Sequence, residues 1–206
     1  MVLFKEINLR LCPSTPIIKG LNDQILAEFD VVAPGKLIRI DDLNVSLSRA
    51  AAAVPFVGGP TAKAKLKAAI DKRGITLSIN SGYRTFAQQF LLFRLKHLGG
   101  CNPNPVARPG TSNHESGLAL DINEPLTWKP FLEDQGWRHF GPVDPPHYDF
   151  VAGGTDLRSL GIKAFQSLWN KHNPGDPLDV DGSLGTDWEN SKTIKRLMKS
   201  PIDGFS

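Results

Sequence analysis

The stretch "PGTSNHESGLALDI", residues 109–122, passes from turn-forming residues into an apolar segment. Its second half alternates large apolar residues with small or acidic ones, which is the period of a half-buried β-strand. Leu118, Leu120 and Ile122 would face the core, and Asp121 would lie on the opposite face among small residues. The stretch therefore predicts a strand with a carboxylate on its open face, reached from a polar loop.

A loop histidine lies close enough in sequence to return to that carboxylate. Six residues separate His114 from Asp121, so the loop can fold the imidazole over the open face of the strand. The segment "DPPHYDF", residues 144–150, has a similar arrangement, because His147 and Asp149 would share one strand face. Two histidines and one carboxylate can hold a catalytic zinc ion whose fourth position binds water.

The same segment supplies a carboxylate for proton transfer. Asp144 precedes His147 by three residues, and two prolines stiffen the link between them. Hydrolysis at a metal needs such a group within reach of the attacking water. The residues alone leave a plainer interpretation open, in which His114 is a loop histidine and Asp121 is a neighbouring surface carboxylate.

Composition and charge limit the possible partners. The chain has 206 residues, of which 40% are hydrophobic and 22% charged, and its net charge is +3. The basic residues form no block, so we expect no nucleic-acid partner. No stretch reaches the roughly 18 apolar residues of a membrane span, and residues 1–14 lack the apolar region of a secretory signal. We expect a monomer.

The two cysteines, Cys12 and Cys101, form no CxxC pair. This spacing argues against a disulfide framework and against a cysteine-based zinc knuckle. A single disulfide and two free thiols are both compatible with the sequence. The frequent burial of unpaired cysteine favours free thiols.

Helix and strand signals surround the central stretch. Residues 17–29 have apolar residues near helical spacing, and a clearer helix opens at Pro60 and ends at Gly74. Residues 75–79 alternate as a half-buried strand. Thr85 would then cap a second helix, which leaves a strand-to-helix junction just before it, where functional residues often lie.

Three ordered motifs carry a resemblance to a known family. The motifs are "SGYRTFAQQ" (residues 81–89), the stretch at 109–122 and "DPPHYDF" (residues 144–150). Together they resemble the VanY-like family of zinc D-alanyl-D-alanine carboxypeptidases. This family includes the dipeptidases of vancomycin resistance and the L-alanyl-D-glutamate peptidases of phage lysins. The motifs cover residues 75–151. The resemblance implies an α+β fold with a small, mostly antiparallel sheet and flanking helices.

The resemblance also implies a role for each matching residue. It makes His114, Asp121 and His147 the ligands of a zinc ion, the implied cofactor. Asp144 takes the position of the general base, where most members have Glu and some phage endopeptidases have Asp. The shorter side chain would place this base farther from the attacking water.

Four further residues would contact the substrate. Arg84 matches the arginine that binds a substrate carboxylate, a role that suits the bidentate geometry of a guanidinium group. Ser112 and Gln88 match supporting polar positions around the substrate. Tyr83 would line the cleft, with a role in the core as the alternative.

The last fifty residues have a different character. "AFQSLWNKHNPGDPLDVDGSLG" resembles a small three-helix peptidoglycan-binding domain, marked by A-F-Q followed by D-G-x-x-G. The usual threonine after that motif is displaced, since Trp188 holds its position and Thr193 comes later. We predict a peptidase domain at 1–152 and a wall-binding helical domain at 155–206, with a structural tail as the alternative for the latter.

These features lead to one predicted function and two alternatives. The resemblance implies a zinc metallopeptidase that hydrolyses amide bonds in the peptide stem of peptidoglycan and acts at the cell wall, in the periplasm or outside the cell. We favour a D-Ala-D-Ala carboxypeptidase over an L-Ala-D-Glu or cross-link endopeptidase. The alternative of another class is a non-catalytic wall-binding module with a structural zinc ion. Because no secretory signal is recognised, delivery would need another route.

Overall fold

The computed structural model describes residues 1–47, 55–101 and 105–206. Within these ranges the chain forms two compact units, each built from separate segments. The sheet unit comprises Gly35–Arg84 and Asn113–Leu157, and the helical unit comprises Met1–Pro34, Thr85–Ser112 and Arg158–Ser206. The elements in chain order are α1 (Lys19–Val32), β1 (Leu37–Arg39), β2 (Val45–Leu47), β3 (Phe56–Gly58), α2 (Pro60–Arg73), β4 (Leu77–Ser81), α3 (Phe86–Arg94), β5 (Ala119–Ile122), α4 (Pro125–Glu133), β6 (Trp137–His139), β7 (His147–Phe150), α5 (Arg158–His172) and α6 (Lys192–Lys199).

A five-stranded sheet forms the centre of the sheet unit. Its strand order is β2-β4-β5-β7-β6, and β1 pairs with β3 in a separate two-stranded ribbon. The β2–β4 pair is parallel, whereas the β4–β5, β5–β7 and β6–β7 pairs are antiparallel. The predicted α+β fold with a small, mostly antiparallel sheet is therefore confirmed.

Apolar side chains of the sheet pack with α2 and α4 in one core. Leu120 and Ile122 of β5 are each 1% exposed, as their alternation with Asp121 predicts. The core also contains Ile40, Val57, Ala62, Leu66, Ala69, Ile70, Leu77, Ile79, Trp128, Leu132, Trp137, Tyr148 and Phe150. Removing one such side chain, as in Leu66→Ala, costs about 2–5 kcal/mol of stability.

The local signals position α2 and β4. Helix α2 begins at Pro60 and is followed by Gly74 at φ +74°, so both predicted boundaries are confirmed. The strand predicted at 75–79 begins two residues later, at Leu77. Ile75 is 46% exposed, because it lies in the turn before the strand and not in the core.

The helical unit is tied together near the chain's N-terminus by a disulfide. Cys12 and Cys101 are bonded, with Cα atoms 5.3 Å apart, so the prediction of free thiols is wrong. The turn Leu9–Leu11 approaches the π-helical turn Leu95–Gly99 so closely that a Cβ on Gly99 would lie 2.8 Å from the Leu9 carbonyl oxygen. Because Cys12 and Cys101 are 89 residues apart in the sequence, the sequence alone does not show that they lie close together.

The compact units differ from the predicted domains in one respect. The units are discontinuous along the chain, and α5 and α6 belong with residues 1–34 and 85–112. The passage from Leu157 to Arg158 between the units lies close to the predicted boundary at 152–155. A division of function between residues 1–152 and 155–206 stays a prediction. None of the described helices has the length and apolar character needed to cross a membrane.

Candidate metal centre

Strand pairing brings the two halves of the predicted site together. In the β5–β7 ladder Asp121 lies opposite His147, and Ala119 lies opposite Asp149. On its other side Asp121 lies opposite Ser81 of β4, after an irregularity in that strand's register. Bulges of this kind often occur beside functional sites, where they redirect side chains. The central strand therefore presents its carboxylate between two neighbours.

The three predicted ligand residues converge. One ligand atom from each of His114, Asp121 and His147 lies within 4.8 Å of the other two. The Asp121 Oδ1 atom is 3.2 Å from His114 Nε2 and 3.0 Å from His147 Nδ1. Ligands at 2.0–2.1 Å from a tetrahedral zinc ion would be about 3.3 Å apart. Two imidazoles and a carboxylate at this spacing fit zinc in both chemistry and size.

A backbone carbonyl fixes the orientation of His114. Its Nδ1 atom lies 2.8 Å from the Gly82 carbonyl oxygen and donates a hydrogen bond to it, so Nε2 presents a lone pair to the centre. The ring is 4% exposed. Burial and the charge of Arg84 lower the pKa of His114, which favours the neutral, metal-binding form. Gly117 closes this loop at φ +74°, and a Cβ there would lie 2.9 Å from the Gly58 nitrogen.

An aspartate orients His147 through the opposite ring nitrogen. His147 Nε2 lies 3.0 Å from Asp149 Oδ1, which also accepts a hydrogen bond from Asn113 Nδ2 at 2.9 Å. Burial disfavours the charged ring, but Asp121 and Asp149 outweigh it and raise the pKa of His147 to about 9. Carboxylates in this position orient many metal-binding histidines. The sequence assigned no function to Asp149, although its place two residues after His147 put both side chains on one face.

Arg84 contacts the carboxylate ligand directly. Its Nη2 atom donates to Asp121 Oδ2 at 3.2 Å, and its Nε atom donates to Ser81 Oγ at 3.1 Å. The two oxygens of Asp121 thus face different partners, the histidines on one side and the guanidinium on the other. Burial opposes ionisation, yet His114, His147 and Arg84 hold the pKa of Asp121 well below its usual range.

Asp144 lies at the exposed side of the centre. Its Oδ2 atom is 4.0 Å from His147 Nδ1, and its side chain is 49% exposed. The Asp144 carbonyl accepts a hydrogen bond from the His147 N–H at 3.1 Å, which closes the turn between them. His139 Nε2 lies 2.6 Å from the Pro145 carbonyl and holds the loop from the side of β6. Phe140, 51% exposed, places its ring edge-on to His147 at 5.4 Å.

The remaining predicted residues, Tyr83, Gln88 and Ser112, are all buried. Tyr83 is 1% exposed, and burial raises the pKa of its hydroxyl, so the geometry supports the alternative role in the core. Gln88 and Ser112 lie in the helical unit, 3% and 4% exposed. The Gln88 N–H donates to Thr85 Oγ1, and the Ser112 carbonyl accepts from Arg158 Nε. Contact of these residues with substrate stays a prediction.

The C-terminal motif forms a different kind of cluster, which we call the Gln166 clasp. Gln166 is 2% exposed, and its Nε2 atom lies 3.0 Å from Asp181 Oδ1 and 3.1 Å from Thr193 Oγ1. Its Oε1 atom accepts the Gly182 N–H at 2.8 Å. A Cβ on Gly182 would lie 2.2 Å from Ser159 Oγ, so only glycine fits there. The residues of the motif join the turn at 181–183 to α5 and α6.

Comparison with known proteins supports the resemblance. Residues 60–138 match the model of the family described as VanY, D-alanyl-D-alanine carboxypeptidase. The predicted resemblance is confirmed over this segment. It indicates a peptidase similar to D-Ala-D-Ala carboxypeptidases, with a function related to peptidoglycan. The match includes Arg84, His114 and Asp121 and ends before Asp144 and His147. No curated protein matches the chain.

Proposed function

We propose that the protein is a zinc-dependent peptidase that removes the terminal D-alanine from the peptide stem of peptidoglycan. The observation that carries this proposal is the convergence of His114, Asp121 and His147, with Asp144 beside them on the exposed side. The family match at residues 60–138 supports the substrate class. Neither a structural zinc site nor a wall-binding module needs an exposed carboxylate at this position.

The ligand residues would hold zinc through His114 Nε2, His147 Nδ1 and Asp121 Oδ1. When bound, zinc supplies a Lewis acid and lowers the pKa of bound water to about 7. The Gly82 carbonyl and Asp149 keep the proton of each imidazole on the nitrogen that faces away from the centre. In its neutral form each ring then directs a lone pair towards the centre.

Asp144 and Arg84 would handle the proton and the substrate. The Asp144 carboxylate accepts a proton from the attacking water and returns it to the leaving amine, as a general acid–base must. Arg84 places a positive charge next to the centre, which attracts the C-terminal carboxylate of the stem. Its hydrogen bond to Asp121 couples substrate binding to a ligand residue.

The disulfide is consistent with action at the cell wall. Disulfides form and persist in the periplasm and outside the cell and are rare in the cytosol. The bond between Cys12 and Cys101 therefore favours an oxidising compartment, as a peptidoglycan substrate requires.

Digestion of purified muropeptides tests the proposal. We expect mass spectrometry to detect loss of one terminal D-alanine from pentapeptide stems, and a chelator should abolish it. Asp144→Ala should reduce the rate by about 10²–10⁴-fold while zinc remains bound. The exposed Asp134, which pairs with Lys72, provides the control Asp134→Ala, with no expected change.

Other outcomes distinguish the alternatives. Cleavage between L-Ala and D-Glu or at the cross-link would replace the carboxypeptidase by an endopeptidase. A zinc-loaded protein that leaves all muropeptides intact, with Asp144→Ala behaving as the wild type, would show that the protein is not a peptidase.

A further inference from the structure

An apolar groove in the helical unit shares no lining residue with the metal centre. It has a volume of about 710 Å³ and runs between α6 and the end of α3 with the turn that follows it. Phe93 and Trp188 meet edge to face on its floor, with ring centroids 5.1 Å apart. The other apolar residues of the lining are Phe90, Leu98, Ile194 and Met198. Leu98 is 69% exposed, so the groove leaves a large apolar side chain in contact with solvent.

Positive charges surround this floor. Lys5, Lys195 and Lys199 line the groove and are exposed, and within the described ranges none of them forms an ion pair. Glu189 is the acidic residue of the lining. The two arginines of the lining have internal partners, since Arg94 donates to the Phe4 carbonyl and Arg196 pairs with Asp176. The available charge at the rim is therefore that of the lysines.

We propose that this groove binds an anionic single-chain amphiphile, an alkyl chain that carries a carboxylate or a phosphate. The chain would cover the floor formed by Phe93, Trp188 and Leu98, and the lysine ammonium groups would pair with the anion. A volume of about 710 Å³ lies in the range of about 300–1,000 Å³ that is typical of small-ligand pockets. A neutral glycan fits less well, because it would leave the lysine ammonium groups of the lining without an anionic partner.

Calorimetry with three probes tests both parts of the ligand. Dodecyl phosphate, below its critical micelle concentration, should bind the full-length protein. Inorganic phosphate, which has no chain, and dodecyl maltoside, which has no charge, should bind at least tenfold more weakly. Because surface ion pairs are screened by salt, affinity for dodecyl phosphate should fall as ionic strength rises.

Variants assign the binding to the groove. Each of Lys195→Gln and Lys199→Gln should weaken binding about fivefold, which is typical of one lysine beside an anionic surface. Lys192→Gln is the matched control, because Lys192 lies on the same helix and does not line the groove. Leu98→Ser tests the apolar part, since the exposed side chain can be replaced without disturbing the core. Circular dichroism should show that every variant remains folded.

Vesicles distinguish the source of the amphiphile. We expect dispersed dodecyl phosphate to bind and phosphatidylglycerol vesicles not to bind, which would indicate a free single-chain amphiphile. Binding to phosphatidylglycerol vesicles, but not to phosphatidylcholine vesicles, would indicate an anionic membrane surface of two-chain lipids and would overturn the proposal. Equal affinity for all three probes, or unchanged affinity in the lysine variants, would overturn it. Tighter binding of an acidic amphipathic peptide than of dodecyl phosphate would overturn it as well.

Discussion

Polar side chains converge in the metal centre and in the Gln166 clasp, but their atoms have different partners. In the clasp, Gln166 bonds to Asp181, Thr193 and the Gly182 N–H, so the amide donates and accepts within the protein. In the metal centre, one oxygen of Asp121 faces a nitrogen from each of two histidines. Three atoms with lone pairs at one point need a cation or protons between them.

The outer contacts of the metal centre strengthen this contrast. The carbonyl of Gly82 and the carboxylate of Asp149 bind the far nitrogens of the two rings, which directs the near nitrogens inward. In the clasp the outer contact, from the Ser183 N–H to Asp181 Oδ1, is made to an atom that already accepts the Gln166 amide, so it closes the turn at 181–183. Convergence of polar residues is therefore insufficient to identify a ligand site; the atoms that meet must also be of one kind, all donors or all acceptors.

The largest expected effect is a loss of zinc affinity, which we test by removing one aspartate from each cluster. Asp121→Ala should lower zinc affinity by at least about 10³-fold, because it removes one of three ligands together with the carboxylate that pairs with Arg84. Asp181→Ala is the matched variant and should leave zinc affinity unchanged, since Asp181 belongs to the clasp. Competition with a chromogenic chelator measures both values. Equal losses in the two variants would contradict the contrast.

A second variant tests the structural role of the clasp. Gln166→Ala should reduce the free energy of unfolding by about 2–3 kcal/mol, because it leaves the buried Gly182 N–H and Thr193 hydroxyl without this partner. Gln135→Ala removes an exposed amide that bonds to Asp134 and should change stability by less than about 0.5 kcal/mol. Urea denaturation measures both. Wild-type stability of Gln166→Ala, together with lost binding to peptidoglycan, would favour the wall-binding interpretation.

Local patterns predicted those parts of the molecule that depend on neighbouring residues. The boundaries of α2 follow from Pro60 and Gly74, and the faces of β5 follow from strict alternation. The ligand set could be predicted because His114 and Asp121 lie on a single loop and strand, and because "DPPHYDF" supplies a second histidine, His147, which the family motif assigns as a ligand.

Contacts between distant segments could not be predicted in this way. The Cys12–Cys101 disulfide joins residues 89 positions apart, and nothing in either local sequence indicates the other. The contact between His114 and the Gly82 carbonyl is of the same kind, since any residue supplies a carbonyl. Thr193 is displaced from its usual position in the motif, but the path of the chain brings its hydroxyl within hydrogen-bond distance of Gln166.

A third prediction concerns the contacts outside the ligand set. Asp149→Asn should weaken zinc binding by about 10–100-fold, because the amide is a poorer acceptor for His147 Nε2–H than the carboxylate. Asp134→Asn, at an exposed site, is the control. The stability of the metal-free protein should be measured in parallel. If Asp149→Asn lowered only stability and left zinc affinity intact, Asp149 would not orient a ligand.

The smallest effect concerns the proton that zinc must displace. Asp121 and Asp149 raise the pKa of His147 to about 9 in the metal-free protein, so the ring is protonated near pH 7.5. Zinc requires the neutral ring; binding should therefore release about one proton, and affinity should rise about tenfold per pH unit until pH approaches about 9. Titration calorimetry in two buffers of different ionisation enthalpy counts this proton. If zinc affinity stayed constant between about pH 7 and pH 8.5, His147 would already be neutral in the metal-free protein. The two carboxylates would then orient the ring without raising its pKa.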